Sequence, residues 1–375
     1  MKIAFVSDTI YPYNKGGKEK RFFEVTTRLA RKGYEIDLYC MNCWHGSRDK
    51  IENGVHLHAI CKYYSLYSGE RRSIVQALMF GLACLKLIKE DFDIVDVDHM
   101  PQFPLFFTKL VCLLKRKIMI ATWHEVWGKD YWQEYLGSRG IFGYIVEKLS
   151  VFMPNEIISN SNHTTNRLKN NLKFKKKIYT VTSGNDFEKI QEIKSSRRKS
   201  DVIFTGRLLN NKNVDILIKS IQLIKEKIPK IKCLIIGDGP EKKKLEALTQ
   251  KLNLEKNIKF LGFLENDGDV YALMKSSKVF VLPSTREGFG IVVTEANACG
   301  IPVITIDHKN NAAGDLIEKG KNGFVCQLNE EEIAKRIMRI LINNSNREIK
   351  KVCMDLAKKY DWGKIVDKIE EAYLK

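Results

Sequence analysis

The chain has 375 residues, 44% of them apolar and 29% charged, with 63 Lys and Arg against 45 Asp and Glu. This is long for one domain and apolar enough to bury two cores, so a disordered or fibrous chain is excluded. The formal net charge of +18 reads either as a Lys-rich coding bias over exposed helix faces or as attraction to anionic partners. Nucleic acid is not expected among these, because no basic run alternates with stacking aromatics. Lys173–Lys177 (KFKKK) reads as a solvated helix end.

The chain opens on the apolar run of MKIAFVSD, a strand that ends in an acid and is unlike a secretory leader. No run of about 18 apolar residues occurs, so no membrane span is expected. The nine Cys are scattered, which fits free thiols and a cytoplasmic setting. Cys40 and Cys43 form a C-x-x-C at a strand end, not at the helix start that a thioredoxin-like pair needs.

In chain order, strands are expected at Ile3–Val6, Ile36–Tyr39, Ile94–Val97, Ile118–Thr122, Ile157–Ser159 and Ile178–Val181. Helical spacing of apolar residues fills Glu19–Arg31, Val75–Lys89, Phe103–Leu114 and Gly143–Phe152 between them. Short apolar strands separated by helices imply a buried parallel sheet with right-handed crossovers. Residues 188–200, polar and containing SSRRKS, read as a linker. The alternation then restarts. Strands are expected at Val202–Thr205, Cys233–Ile236, Ile258–Leu261, Val279–Leu282 and Val303–Ile306, and helices at Val214–Lys227, Glu241–Leu252, Val270–Ser276 and Ile291–Cys299. Three helices close the chain: Glu330–Ile342, Arg347–Lys359 and Trp362–Tyr373. The expected architecture is α/β, with two Rossmann-like, doubly wound domains at 1–187 and 201–359. Ligands bind such sheets at the carboxyl ends of their strands, which puts the expected sites in a cleft between the two domains.

The segment Ser284–Ile304 reads STREGFGIVVTEANACGIPVI. Glu287 and Glu295 stand eight apart around the Gly288-Phe289-Gly290 turn, the first in a loop and the second about one turn into a helix. Each carboxylate offers two acceptor oxygens to a pair of hydroxyls, one acid for a donor sugar and the other for a nucleotide ribose. The glycines let backbone N–H groups approach a phosphate at a helix N-terminus. Upstream, FTGRLLNNKNVD carries Gly206, Arg207 and Lys212 between a strand and a helix. Arg supplies a fixed fork for a diphosphate and Lys a mobile charge. Gly16 and Gly17 follow the first strand, and Gly237-Asp238-Gly239-Pro240 follows another; the latter reads as structural. His124, in Thr122-Trp123-His124-Glu125, and Asp98-His99 end two first-domain strands.

Together these segments resemble glycosyltransferase family 4, from its E-x7-E signature with the EGFG start through its G-R-x4-K, N-terminal glycine-loop and G-x-G-P motifs. Tyr360-Asp361-Trp362 resembles the family's closing segment, which implies a last helix, 360–375, that returns to the first domain. The resemblance implies a GT-B fold with two facing domains and a retaining transfer of a hexose-type sugar from a nucleotide-diphosphate sugar to a glycan or lipid-linked acceptor. It implies that Arg207 and Lys212 neutralise the leaving diphosphate, that Glu287 and Glu295 hold the donor, and that Gly16 and Gly17 close over its phosphates. His124 contacts the donor sugar under this reading and is merely structural under the other. No metal is expected, since the two cations replace it, and no cofactor, since the Gly16-Gly17 loop is not the G-x-G-x-x-G fingerprint of a dinucleotide site.

The chain departs from the family at 308–315, where HKNNAAGD stands in place of a glycine pair and a Glu, with Asn311 and Ala312 near the glycine positions. The apolar and basic stretches Ile74–Lys89, Phe103–Lys117 and Trp123–Phe152 suit either peripheral contact with an anionic membrane or ordinary burial against the sheet. The rival functions are a sugar-nucleotide epimerase of the same architecture and a non-catalytic sugar-nucleotide binder.

Overall fold

The computed structural model describes residues 1–68, 71–342 and 346–375. The chain forms two compact units, one of Met1–Ser183 with Trp362–Lys375 and the other of Gly184–Asp361. Among the described residues no helix is long and apolar enough to cross a membrane.

The first unit is built on an eight-stranded sheet. Its spatial order is Ile178–Thr180, Glu156–Ser159, Ile118–Trp123, Ile94–Asp98, Lys2–Val6, Glu35–Met41, Val55–Cys61 and Asp49–Glu52. All neighbours are parallel except the last pair. The chain lays strands outward from Lys2–Val6 on one side and then returns to the other side with Ile94–Asp98, so the order reverses between these two. Buried side chains cover both faces, with Ile3, Phe5, Leu38 and Leu57 on one and Ala4, Val6, Val97 and Ala121 on the other.

The helix Trp362–Tyr373 belongs to this first unit. Trp362, Ile365, Val366, Ile369 and Tyr373 recur at three- and four-residue spacing and are all buried against the first face. Tyr373 anchors the far end by donating its hydroxyl to the buried Asp96 carboxylate at 2.5 Å.

The second unit is a six-stranded parallel sheet in the order Ile258–Gly262, Cys233–Ile236, Val202–Thr205, Val279–Leu282, Val303–Ile306, Gly323–Cys326. This is the doubly wound order in which strand sequence reverses between the first and fourth strands, Val202–Thr205 and Val279–Leu282. Loops leaving these two neighbours diverge, and a crevice opens at their carboxyl ends.

Several expectations change. The segment 188–200, expected as a linker, begins inside a helix, Phe187–Glu192, whose Phe187 and Ile190 are buried in the second unit's core. Two apolar residues at i and i+3 outweigh the polar composition, and Ser196 N–H and Ser200 N–H bond to Ala272 O and Ser276 O. The helix expected over Val75–Lys89 is α-helical only for Ile74–Ala83 and tightens to 3-10 at Cys84–Lys89. The hairpin of Asp49–Glu52 and Val55–Cys61 lies outside the expected elements, although Asn53 and Gly54 take positive φ of 53° and 80°, as a two-residue turn of that type requires.

A further helix, Gly128–Leu136, was also unforeseen. Its first N–H groups are met by the buried carboxylate of Glu147, which accepts from Trp127 N, Gly128 N and Trp132 Nε1 at 2.7, 2.8 and 2.9 Å. Burial pushes the Glu147 carboxyl up from its ordinary pKa, against the pull of these donors.

Removing Trp362, which is fully buried, should show what the returning helix contributes. Trp362→Ala is expected to destabilise the first unit by about 3–5 kcal/mol in urea unfolding followed by a first-unit probe. A midpoint unchanged from wild type would contradict that packing.

Candidate active site

In the second unit, side chains from the loops after Val202–Thr205 and Val279–Leu282 bridge the point of strand reversal. Lys212 donates from Nζ to Glu287 Oε1 at 2.5 Å, with the two side chains 16% and 14% exposed. The pair is held from beneath by backbone. Asn213, at φ +48°, donates from Nδ2 to Pro283 O at 2.9 Å, and Thr285 N donates to Asn211 O at 3.0 Å. Glu287 is further fixed because Arg286–Glu287 pairs in parallel with Asn310–Asn311.

Arg207 is exposed on the same loop as Lys212. That loop rests on the Gly237–Gly239 turn: Gly206 N bonds to Ile236 O and Leu208 N to Asp238 O. A Cβ at Gly237, whose φ is +135°, would lie 1.9 Å from Gly206 O, so only glycine lets the two turns stack. The GDGP segment is therefore a support for the Arg207 loop.

The two acids of the E-x7-E segment sit in different environments. Glu287 is reachable from solvent, whereas Glu295 is buried and accepts a hydrogen bond from Tyr271 OH at 2.7 Å. Tyr271, on the helix Asp267–Lys275, carried no signal in the sequence beyond its place on an apolar face. Gly288 lies in the turn, Phe289 is buried with its ring 5.8 Å from that of Tyr360, and Gly290 caps the helix Ile291–Ala298 at φ +93°. A Cβ there would meet Ala313 at 2.9 Å.

The divergent 308–315 segment thus packs directly under the motif. Asn311 donates to Ile306 O at 2.8 Å and accepts from Ala313 N at 3.0 Å, starting the 3-10 turn Ala312–Leu316. A side-chain cap replaces the glycine pair.

The first unit has its own polar cluster, also at the strand reversal. Lys18 Nζ lies 2.5 Å from Asp8 Oδ1, 2.7 Å from Asp98 Oδ2 and 2.9 Å from Met100 O. Burial alone would lower the Lys18 ammonium, but Asp8 and Asp98 outweigh it and hold it above the ordinary range. Burial would likewise raise Asp98, and the charge of Lys18 with contact from His124 holds it well below the carboxylate range. Gly16 caps the helix Gly17–Arg31, and the Glu19 carboxylate folds over it while accepting from Thr9 Oγ1 at 2.7 Å. His124 Nε2 stands 3.5 Å from Asp98 Oδ1.

Asp98, His99 and His124 bring ligand-type atoms together, with Lys18 on the other carboxylate oxygen, Oδ2. Gln76 Oε1, His99 Nε2 and Gln102 Nε2 are buried and have no hydrogen-bond partner among the described residues, as groups awaiting a polar ligand would be. Lys18 and Asp8 were not foreseen from the sequence. Beside this cluster, at the end of the neighbouring strand Glu35–Met41, burial pushes the thiols of Cys40 and Cys43 up, the latter to about 12, which keeps both in the unreactive neutral form.

Known proteins resemble this chain across both units. The family model described as Glycosyltransferase Family 4 matches residues 15–189, and that described as Glycosyl transferases group 1 matches 185–360. A curated uncharacterised glycosyltransferase of Haemophilus influenzae is 24% identical over 355 residues, covering 88% of this chain and 87% of its own. The phosphatidylinositol N-acetylglucosaminyltransferase gpi3 subunit of Schizosaccharomyces pombe is 23% identical over 98% of this chain and 79% of its own. Among solved structures, Anabaena Alr3699/HepE in complex with UDP superposes with a TM-score of 0.75 at 20% identity, covering 100% and 99% of the two chains. Two models that together span residues 15–360 leave the class plain: this is a glycosyltransferase with a GT-B fold. More particularly, the chain belongs to glycosyltransferase family 4.

His99 yields a pH test. Burial, then the neighbouring charge of His124, lowers its pKa to about 3, while an unfolded histidine titrates near about 6.5. Folded-state pKa below unfolded means that its contribution is complete above about pH 6.5 and is lost as pH falls towards 3. Between pH 6.5 and 5 the loss is expected to be about 1–2 kcal/mol. The His99→Gln variant should show a flatter decline in urea midpoint over that range, and an identical decline would contradict a neutral buried imidazole.

Proposed function

We propose that this glycosyltransferase moves a hexose-type sugar from a nucleotide-diphosphate sugar to a glycan or lipid-linked acceptor, with retention of configuration, in cell-envelope, glycolipid or polysaccharide synthesis. The observation that carries this reading is the Lys212–Glu287 pair at the strand reversal of the second unit, where doubly wound sheets take nucleotides. UDP in the Anabaena Alr3699/HepE structure and the lipid substrate named for the yeast gpi3 subunit point the same way.

In this reading Lys212 and Arg207 meet the diphosphate, whose negative charge grows as the anomeric carbon–oxygen bond breaks. Glu287 holds sugar hydroxyls with the carboxylate that Lys212 also orients. Glu295, set by Tyr271, takes the ribose. The acceptor oxygen attacks from the leaving-group face and passes its proton to the departing phosphate oxygen, so no side-chain nucleophile is used. The two cations replace a metal at the diphosphate, and no cofactor takes part. Gly16, Gly17, Gly206, Gly288, Phe289 and Gly290 shape backbone around the donor, and His124 serves the sugar.

Lys212→Ala is expected to lower turnover at saturating donor by roughly 10²–10³, the cost of one preorganised charge in such a site, while leaving the melting temperature nearly unchanged. An active Lys212→Ala enzyme removes this assignment.

Peripheral contact with an anionic membrane at the cytoplasmic face is part of the proposal. The helices Ile74–Ala83 and Phe103–Lys115 pack together so closely that a Cβ on Gly81 would lie 2.9 Å from the Phe107 ring, and Gly140–Ser150 lies beside the second. Their outer faces expose Ile74, Val75, Leu113, Leu114, Phe142 and Leu149, which is more than ordinary burial against the sheet would leave. Segments 71–89, 103–117 and 139–152 hold ten Lys and Arg and one acid, Glu147, and that acid faces inward. An apolar face on helices that also carry cations complements an anionic bilayer. The protein should co-sediment with vesicles containing anionic lipid and not with zwitterionic ones, and Leu113→Glu with Phe142→Glu should abolish this. Indifference to lipid charge ends the membrane reading.

A further inference from the structure

The outer edge of the first unit's sheet carries a side-chain cluster that sugar transfer does not use. Strands Glu35–Met41 and Val55–Cys61 run parallel with Asp37 opposite His56 and Tyr39 opposite His58, and Asp49 lies opposite His58 on the closing antiparallel strand. Successive side chains of a strand point to opposite faces. Asp37, His56, His58 and Asp49 therefore share one face of three adjacent strands, while Val55, Leu57 and Ala59 fill the core on the other.

The distances are those of a ligand set. Asp37 Oδ1 is 3.0 Å from His58 Nε2 and 3.5 Å from His56 Nδ1, and the three ligand atoms all lie within 4.8 Å of one another. Nitrogen and oxygen ligands about 2.0–2.1 Å from a tetrahedral zinc ion stand roughly 3.3 Å apart, which two of these edges bracket. The surroundings also match. A metal-binding imidazole ordinarily gives its other ring N–H to a carboxylate, which fixes its tautomer and aim; His58 Nδ1 lies 2.9 Å from Asp49 Oδ1. Lys2 Nζ takes the opposite oxygen of Asp37, Oδ2, at 3.0 Å and leaves Oδ1 turned towards the imidazoles. Asp37 is almost wholly buried, whereas His56 and His58 remain reachable from solvent.

We propose that Asp37, His56 and His58 bind one divalent transition-metal ion of the zinc class, with Asp49 orienting His58 and water completing the coordination. Two imidazoles and a carboxylate favour zinc, cobalt or nickel over magnesium or calcium. The ion ties the outer hairpin, 49–61, to the strand beside it and has no part in the transfer chemistry, so this site stands or falls apart from the donor site.

The test is titration of Zn2+ into chelator-treated full-length protein, followed by calorimetry and by thermal melting, with Mg2+ as the control. One equivalent is expected to bind and to raise Tm, while Mg2+ does nothing. Co2+ in place of Zn2+ should give visible absorption bands of a low-coordinate nitrogen and oxygen site. His56→Gln, which leaves the bonds of His58 intact and so preserves the fold, should abolish the Tm rise. Asp49→Asn should weaken Zn2+ binding about 10–100-fold, the effect usual for a group that orients a ligand. The proposal is overturned if Zn2+ leaves Tm unchanged. A rise that survives His56→Gln also overturns it, by putting the ion elsewhere, such as the buried Asp98–His99–His124 group.

Discussion

Parallel strands send all their following loops out of one edge of the sheet, and where strand order reverses two neighbouring loops must part. Each unit of this protein places a lysine at that point. In the second, Lys212 spans from one loop to Glu287 on the other. In the first, Lys18 spans from Asp8 after one strand to Asp98 at the end of its neighbour. The constraint is geometric before it is chemical, since the crevice exists because the crossovers are right-handed and the strands parallel. The charges that close it are paired: Asp8 and Asp98 are buried on either side of Lys18, and Glu287 is matched by Lys212.

Much of this was legible in the sequence because buried parallel strands are short apolar runs. Val202–Thr205, Cys233–Ile236, Val279–Leu282 and Val303–Ile306 coincide with the expected strands. The outer hairpin is not legible in that way, because the alternation Val55-His56-Leu57-His58 breaks the continuous apolar run that marks the buried strands. Its Asn53-Gly54 turn was a usable signal, since only a reversal with positive φ at both positions asks for that pair. Helix Gly128–Leu136 escaped for another reason: it depends on Glu147, which lies eleven residues beyond its end, and local pattern carries no trace of that partner.

The site divides in the same way. Arg207, Lys212, Glu287 and Glu295 stand out because motif spacing fixes them on particular loops. Tyr271, Asn213, Lys18 and Asp8 do not, because their roles come from partners brought together by the sheet. The loop 308–316 shows how a departure from the family pattern is absorbed. Asn311 caps with its own side chain where glycines would offer bare backbone, and Ala313 fills the space that the missing Cβ of Gly290 leaves.

The central claim is that the cations of the second unit form a receptor for a sugar-linked diphosphate, and ligand-induced stabilisation reads this directly. Thermal melting of wild type and the Arg207→Ala, Lys212→Ala double variant would be followed across a panel of nucleoside diphosphate sugars, with the nucleoside monophosphates alongside. At least one diphosphate sugar should raise Tm of the wild type well beyond its monophosphate, and the double variant should lose that difference. Equal shifts in both proteins, or none with any diphosphate sugar, would contradict the account.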